Sequence, residues 1–183
     1  MKIKTFKQYR ELALRSIKNH DSEEIAIADW ALGLGGEASE VLELLVDGST
    51  DKMEIAKELG DVLWYATALG EQVGALVVND IFEATHNYAF DRSHCAGCIL
   101  DSNPIQTAVI KLSITIGSIQ EMMKHTIMHK ERFDKTRILV LLGDVHLQLA
   151  TLATLHRFTI FDVAELNAAK LAHRFNLKNG GSY

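Results

Sequence analysis

"KELGDVLWYATALGEQVG", residues 57–74, carries the reading on which the fold turns. At about 100° per residue, Leu59, Val62, Ala66 and Leu69 fall on one side together with Ile55 just upstream, the stripe of an amphipathic helix. The phrase is then repeated. "LLGDVHLQLATLATLH", residues 141–156, again has Leu-Gly-Asp-Val followed by an apolar run, but Leu141 stands where the first copy has Glu58. A shift of 83 residues superposes Leu59-Gly60-Asp61-Val62 on Leu142-Gly143-Asp144-Val145. A shift of 82 lays "DIFEATHNYAFDR" (80–92) on "DVAELNAAKLAHR" (162–174). The pattern reads as an internal duplication of a helical unit that packs its apolar face against its own copy.

Outward from these two phrases, apolar periodicity predicts seven helices, over 5–19, 24–47, 51–75, 79–92, 104–129, 133–157 and 161–177. Asp21 or Ser22 is expected to cap the second helix. Gly48 is expected to stop it, with Ser49 or Thr50 capping the third. Pro104 behind Asn103 suits a first helical position. A single proline and no long Gly/Ser tract favour an all-α fold over an all-β one. The expected architecture is a helical bundle in one domain over 1–183. Repeat one covers about 5–92, a connector about 93–103 and a degenerate repeat two about 104–178, so that the chain is a pseudo-dimer of itself.

The chain's 183 residues allow one sizeable core rather than two independent domains. A net charge of −5 argues against a protein built to hold a nucleic-acid backbone, yet leaves a nucleotide substrate open, because a metal ion supplies positive charge. No run of apolar residues reads as long enough to span a membrane, and "MKIKTFKQYRELALRS" lacks the apolar segment of a secretory signal. A cytoplasmic protein with free thiols is the expectation.

The acids carry the chemistry. On the second helix the stripe is Ile27, Trp30, Leu34, Val41 and Leu45. Glu37 interrupts it between Leu34 and Val41, and Glu40 lies about 60° beyond. On the third helix Glu58 sits about 40° from Val62, at the stripe's edge, and Asp61 about 60° further round. Two neighbouring helices thus present E-x-x-E and E-x-x-D pairs on the same side of their stripes. Packed antiparallel, they bring four carboxylates together, which is costly unless some are protonated or a cation neutralises them. Hard oxygen donors without a partner histidine suit Mg²⁺ or Mn²⁺ rather than zinc. The competing reading is a solvated face, and Glu37 inside an apolar stripe speaks against it.

With these residues in view, "ALGLGGEASEVLELL…KELGDVLWYATAL" resembles the MazG-like all-α nucleoside triphosphate pyrophosphohydrolases, whose E-x-x-E, spacer, E-x-x-D motif is matched by Glu37, Glu40, Glu58 and Asp61. The similarity covers residues 5 to about 84. The family's closing helix, of the type Asn-x-x-Lys-Leu-x-x-Arg, is matched only at the far end of the chain, by Asn167, Lys170, Leu171 and Arg174. In the first copy those positions hold Thr85, Tyr88 and Arg92. The second copy reads "GSIQEMMKH" near the position of the first acid pair. Each copy has kept half of a site on this reading. The resemblance implies metal-dependent hydrolysis of an NTP or dNTP between the α- and β-phosphates, giving a monophosphate and pyrophosphate, as a house-cleaning activity on nucleotide pools. Glu37 or Glu40 would take the proton of water, and Asn167, Lys170 and Arg174 would hold phosphate. Trp30, Trp64 and Tyr65 are the candidates to stack on a base, with core packing as the alternative for each. A dUTP- or dCTP-specific hydrolase of the same superfamily, and a nucleotide-binding regulatory module that has lost catalysis, are the rival readings. Homodimerisation stays open.

Other signals are weaker. Cys95-x-x-Cys98, beside His94 and one helix after His86, lacks the second ligand pair a zinc site needs. His125 and His129, four apart, read as a surface pair with no acid or third histidine beside them. "NLKNGGSY" reads as a frayed tail.

Overall fold

In the computed structural model, which describes residues 2–74 and 103–175, the Leu-Gly-Asp-Val phrases lie on two long helices at the heart of an all-α bundle. Six α-helices and a short 3-10 turn account for the secondary structure, and there is no strand among the described residues. They are α1 (Phe6–Ala13), the 3-10 turn Leu14–Ser16, α2 (Glu23–Val46), α3 (Lys52–Gln72), α4 (Pro104–Met128), α5 (Lys135–Leu155) and α6 (Ile160–Arg174). The expected helix over 79–92, most of the connector with His94, Cys95 and Cys98, and the tail beyond 175 lie outside the described residues.

Local chemistry sets each boundary. Ser22 caps α2 by accepting the Ile25 N–H at 3.2 Å. At the other end Gly48 adopts φ 72°, and the Gly48 and Ser49 N–H groups bond back to Leu45 and Leu44 carbonyls, a left-handed stop that favours glycine. The cap of α3 corrects the expectation of Ser49 or Thr50. Asp51 takes the position, because its carboxylate accepts both the Met53 and Glu54 N–H groups, at 2.9 and 3.1 Å, while Ser49 Oγ accepts the Asp51 N–H. Asn103 and Pro104 open α4 as anticipated, and Thr159 opens α6 in a capping box with Asp162. The first helix is shorter than expected. The Ala13 carbonyl accepts Ser16 Oγ at 2.6 Å and Trp64 Nε1 at 3.4 Å, and Ile17 leaves in extended conformation.

α2 packs on α3 and α4, α4 on α5, and α5 back on α3, closing a four-helix bundle. α1 and α6 pack on the outer side of α3. The α3 stripe Ile55, Leu59, Val62, Ala66 and Leu69 is fully buried, as are Ile27, Trp30, Leu34 and Val41 of α2, with Leu45 half-buried. α3 is enclosed on further sides too: Gly60 and Leu63 are also buried. Gly60 is where α6 approaches. A Cβ there would stand 2.9 Å from the Cβ of Asn167 and 3.4 Å from the Val163 carbonyl oxygen.

One expectation is corrected by α5. Thr136–Leu155, with mean hydropathy 1.7, is long and apolar enough by length and composition to cross a membrane. Its place in the bundle gives that character another cause: 56% of the stretch is buried, with Ile138, Leu142, Val145, Leu149 and Leu152 in the core.

The two helix pairs share a register. α3 and α5 are both 21 residues long, and the bounds of one become those of the other on a shift of 83. The buried Ile55, Leu59, Val62, Ala66 and Leu69 then fall on buried Ile138, Leu142, Val145, Leu149 and Leu152. For α2 and α4 a shift of 82 lays buried Ala26, Ile27, Trp30, Leu34 and Val41 on buried Ala108, Val109, Leu112, Ile116 and Met123.

Because Gly60 faces the Cβ and backbone of α6 rather than a flexible side-chain end, Gly60→Ala should force the two helices apart. Overpacking of this kind costs about 1–3 kcal/mol, and the better helix propensity of alanine returns up to about 1. A net loss of about 1–2 kcal/mol is expected, read as a lower urea midpoint at unchanged slope. A more stable variant would show that the close approach is not needed.

Candidate functional site: an acidic cluster beside an aromatic pocket

The five-residue turn 47–51 between α2 and α3 sets the two helices side by side and antiparallel, and their acid pairs meet. Oxygen atoms of Glu37, Glu40 and Glu58 lie within 4.8 Å of one another, Glu37 and Glu58 half-buried and Glu40 exposed. At about 2.0–2.1 Å per bond, oxygens on opposite sides of a Mg²⁺ ion stand about 4 Å apart, so small rotamer changes bring this cluster to the required spacing. The donors are hard oxygens, so the residues fit Mg²⁺ or Mn²⁺ and do not favour zinc.

Asp61 is the fourth acid, and it is tied to α6. Its Oδ1 accepts the amide Nδ2 of Asn167 at 2.9 Å, and its Oδ2 is paired with the ammonium of Lys170. The Asn167 carbonyl Oδ1 in turn accepts the hydroxyl of Tyr9 at 2.8 Å. Tyr9 is fully buried and Asn167 is 1% exposed. A phenol so buried needs an acceptor, and this bond leaves the NH₂ end of the amide facing Asp61. Burial, and after it the charge of Asp61, hold the Tyr9 hydroxyl well above its ordinary pKa.

Crowding shows in the electrostatics. Burial, followed by the charges of Asp61, Glu40 and Glu58, pushes Glu37 from the ordinary 4.5 up to about 7, against the opposing pull of Lys170. Glu58 is also raised, by burial and then by Asp61. Partial burial works against charged Lys170, but its bond to Asp61 and the field of Asp61, Glu58 and Glu37 prevail and raise its pKa.

Beside the acids lies a pocket of about 410 Å³ whose lining includes the charged Glu37, Asp61, Lys170 and Arg174 and the aromatic Trp30, Trp64, Tyr65 and His20. The rings meet edge to face: Trp30 with Trp64 at 5.5 Å, Trp64 with Tyr65 at 4.7 Å and His20 with Trp30 at 4.7 Å. Trp30 is only 3% exposed, so its indole backs the pocket from the core. Trp64 and Tyr65 are half-buried. A Cβ at Gly33 would come within 2.0 Å of the Tyr65 ring, so the glycine of α2 makes the seat for that side chain. Trp64 is fixed by Nε1 donating to Ser16 Oγ at 2.9 Å.

All ten candidate site residues singled out from the sequence, Trp64 included, lie in this region, but in different roles. Glu37, Glu40 and Glu58 form the cluster; Asp61 joins it to α6; Lys170 and Arg174 line the pocket. Asn167 has both ends of its amide engaged by the protein. Sequence reasoning missed Tyr9, Lys18, His20 and Asp29. His20 and Asp29, 2.9 Å apart, join the loop before α2 to α2 itself across the pocket rim. A buried tyrosine on the amphipathic α1 was legible as core, but its acceptor, 158 residues away, was not. Elsewhere, His125 is half-buried and, against expectation, has acids beside it: its ring nitrogens lie 2.9 Å from Glu121 and 2.8 Å from Glu131. The burial register also sets buried Ile119 and Met122 opposite Glu37 and Glu40, half-buried Leu141 opposite Glu58, and exposed Asp144 opposite Asp61.

Compared with protein-family models, curated proteins and solved structures, the chain finds no match in any of the three.

The raised Glu37 has a consequence for stability. A carboxyl whose folded pKa exceeds its unfolded one favours the fold at low pH, and that contribution is lost as pH rises from about 4.5 through about 7. With chelator present, Glu37→Gln should melt with the wild type near pH 4.5. It should melt above it by about 2–4 °C at pH 8, a figure that discounts for solvent screening of a half-exposed group. Equal melting at both pH values would remove the crowding.

Proposed function

We propose that this chain is a MazG-like, metal-dependent nucleoside triphosphate pyrophosphohydrolase. It converts an NTP or dNTP and water to the monophosphate and pyrophosphate, acting in the cytoplasm to clean or trim nucleotide pools. The observation that carries the reading is the joining of two half-sites. Three carboxylates on α2 and α3 share a space within 4.8 Å, and α6 brings Lys170 and Arg174 to the pocket beside them. The acid motif and the basic helix are more than a hundred residues apart in sequence, with Asn167 bonded to Asp61 across a separation of 106.

Mg²⁺ or Mn²⁺ held by Glu37, Glu40, Glu58 and Asp61 would neutralise phosphate charge and acidify water for in-line attack. The chain supplies the rest. Lys170 and Arg174 face a triphosphate lying along the pocket, the guanidinium suited to two phosphate oxygens and the ammonium to one. Of the two candidate bases, Glu37 lines the pocket and Glu40 does not, so Glu37 would be the one to take the proton of water. Trp64 and Tyr65 offer ring edges to a base, and Trp30 stiffens them from behind.

The shared register supports a duplication in which the chain is a pseudo-dimer with one complete site. At the second set of positions Ile119 and Met122 are core residues, which removes the charge a second metal site would need. That loss is also what a catalytically silent nucleotide-binding module would show; retention of all four acids in the first half favours the enzyme. A dUTP- or dCTP-specific hydrolase is the narrower form of the same proposal.

The test is pyrophosphate release from a panel of NTPs and dNTPs, with Mg²⁺, Mn²⁺ or chelator. Release should require metal and fall by at least about 100-fold in Glu58→Gln, a loss typical of removing a group that stabilises charge in the transition state. Absence of release from every substrate by a folded wild type would overturn the enzyme and leave the binding module.

A further inference from the structure

The two groups that hold Asp61 are of different kinds. Asn167 is a buried amide with no room to move: Tyr9 holds its carbonyl end, and its Cβ stands 2.9 Å from where a Cβ on Gly60 would be. Lys170 reaches Asp61 from the rim of the pocket on a flexible four-carbon stem, and 45% of its side chain is exposed. Its ammonium is bonded to Asp61, and its field acts on Glu37 and Glu58 as well. Lys170 thus places positive charge beside the acids.

From this geometry we infer that Lys170 is an exchangeable counter-ion: it neutralises Asp61 while the acid cluster is metal-free, and it is displaced into the pocket when a divalent cation takes the Asp61 oxygen. The inference rests on the proposed metal site and adds an order of events to it. Asn167 and Tyr9 keep Asp61 in place through the exchange, since they bind the other oxygen and are buried. Lys170 already lines the pocket with Arg174, so release from Asp61 leaves it facing the space that an anionic substrate enters. A divalent ion competes with Lys170 for one oxygen atom, and a phosphate oxygen competes with Asp61 for one ammonium. Cation and substrate therefore assist each other through a single side chain, and by linkage the assistance is reciprocal.

The inference demands opposite effects on two measurements. Mn²⁺ is titrated into nucleotide-free protein, with binding followed by calorimetry and by the loss of the free-ion electron paramagnetic resonance signal. Wild type, Lys170→Met, Arg174→Met and Glu58→Gln are compared after melting curves establish that each is folded. Removal of the competing ammonium should tighten Mn²⁺ binding in Lys170→Met by about 3- to 10-fold, the order expected for a cation lost at close range near the surface. Arg174→Met removes a charge from the same pocket that is not bonded to Asp61, and should shift Mn²⁺ affinity by less than about 2-fold. The same Lys170→Met protein should release pyrophosphate more slowly, because the phosphate loses its partner. Should Lys170→Met fold poorly, Lys170→Gln serves in its place.

Mn²⁺ affinity that is unchanged or weaker in the Lys170 variant overturns the exchange. So does an equal tightening in Arg174→Met, which would reduce the effect to general charge. These outcomes separate from failure of the underlying reading. Wild-type Mn²⁺ binding that disappears in Glu58→Gln supports the metal site whatever Lys170 does. No Mn²⁺ binding by wild type removes the site and the exchange together.

Discussion

The hydrogen-bonded line from Tyr9 through Asn167 to Asp61 is the constraint around which the rest is arranged. It joins the first described helix, the central helix and the last one, at sequence separations of 158 and 106 residues. Each link has an elementary cause. A tyrosine that is fully buried must give its hydroxyl to an acceptor. An asparagine amide held at its oxygen presents its NH₂ in a single direction. A carboxylate beside that NH₂ on one oxygen keeps the other for a cation. The line exists only because α3 and α6 touch at backbone distance, and Gly60 is what permits the touch. The glycine in Leu-Gly-Asp-Val is thus a packing residue, and the aspartate next to it is positioned through that packing.

The bundle carries its electrostatic load in one place. Burial first, and then the nearness of the other carboxylates, favours protonation of Glu37 and pushes it up to about 7. In the other half of the bundle the corresponding positions hold Ile119 and Met122, buried in the core at 0% and 8% exposure, and Leu141. Those residues add apolar burial where the first half has repulsion. The difference answers why the Leu-Gly-Asp-Val phrase occurs twice but its glutamate only once. One half of the bundle gathers the acids and the other fills the same positions with apolar residues, with matching burial in the helices that pair them.

How much of this the sequence carried can be judged residue by residue. The stripes of α2 and α3, the proline start of α4 and the glycine stop of α2 are local properties, and periodicity and turn chemistry expose them. The convergence of Glu37, Glu40 and Glu58 was legible because two helices joined by a short turn admit few arrangements. The α3 cap was misread because Ser49, Thr50 and Asp51 are all good caps, and only the folded turn chooses among them. α5 was expected as a helix and is one, and only the length of its apolar run was understated: membrane-spanning and bundle-core helices satisfy the same rule of length and composition, and burial separates them. Asn167 was legible as a polar residue on the α6 face, yet the engagement of both its amide ends depends on a partner in α1 that no local pattern announces. His20 and Asp29 meet across a loop, where sequence spacing carries no geometric information.

The pocket itself combines parts with different freedom. Trp30, Trp64 and Tyr65 interlock edge to face, with Ser16 holding Trp64 and Gly33 seating Tyr65, so the aromatic wall is fixed by packing. Lys170 and Arg174 stand on the last turns of α6 on long side chains, and the Arg174 guanidinium lies over the Phe175 ring at 5.6 Å. A rigid apolar wall suits recognition of a flat, uncharged group, because little ordering is left to do on binding. Movable cations suit a chain of phosphates whose charge changes during reaction. Between them Glu37 and Asp61 repel any anion that arrives while they are unneutralised. An anionic ligand therefore needs the acids satisfied first, and the ammonium of Lys170 is bonded to one acid, Asp61, among four. Under the proposed function, charge balance alone sets an order: a cation at the acid cluster first, a triphosphate in the pocket second.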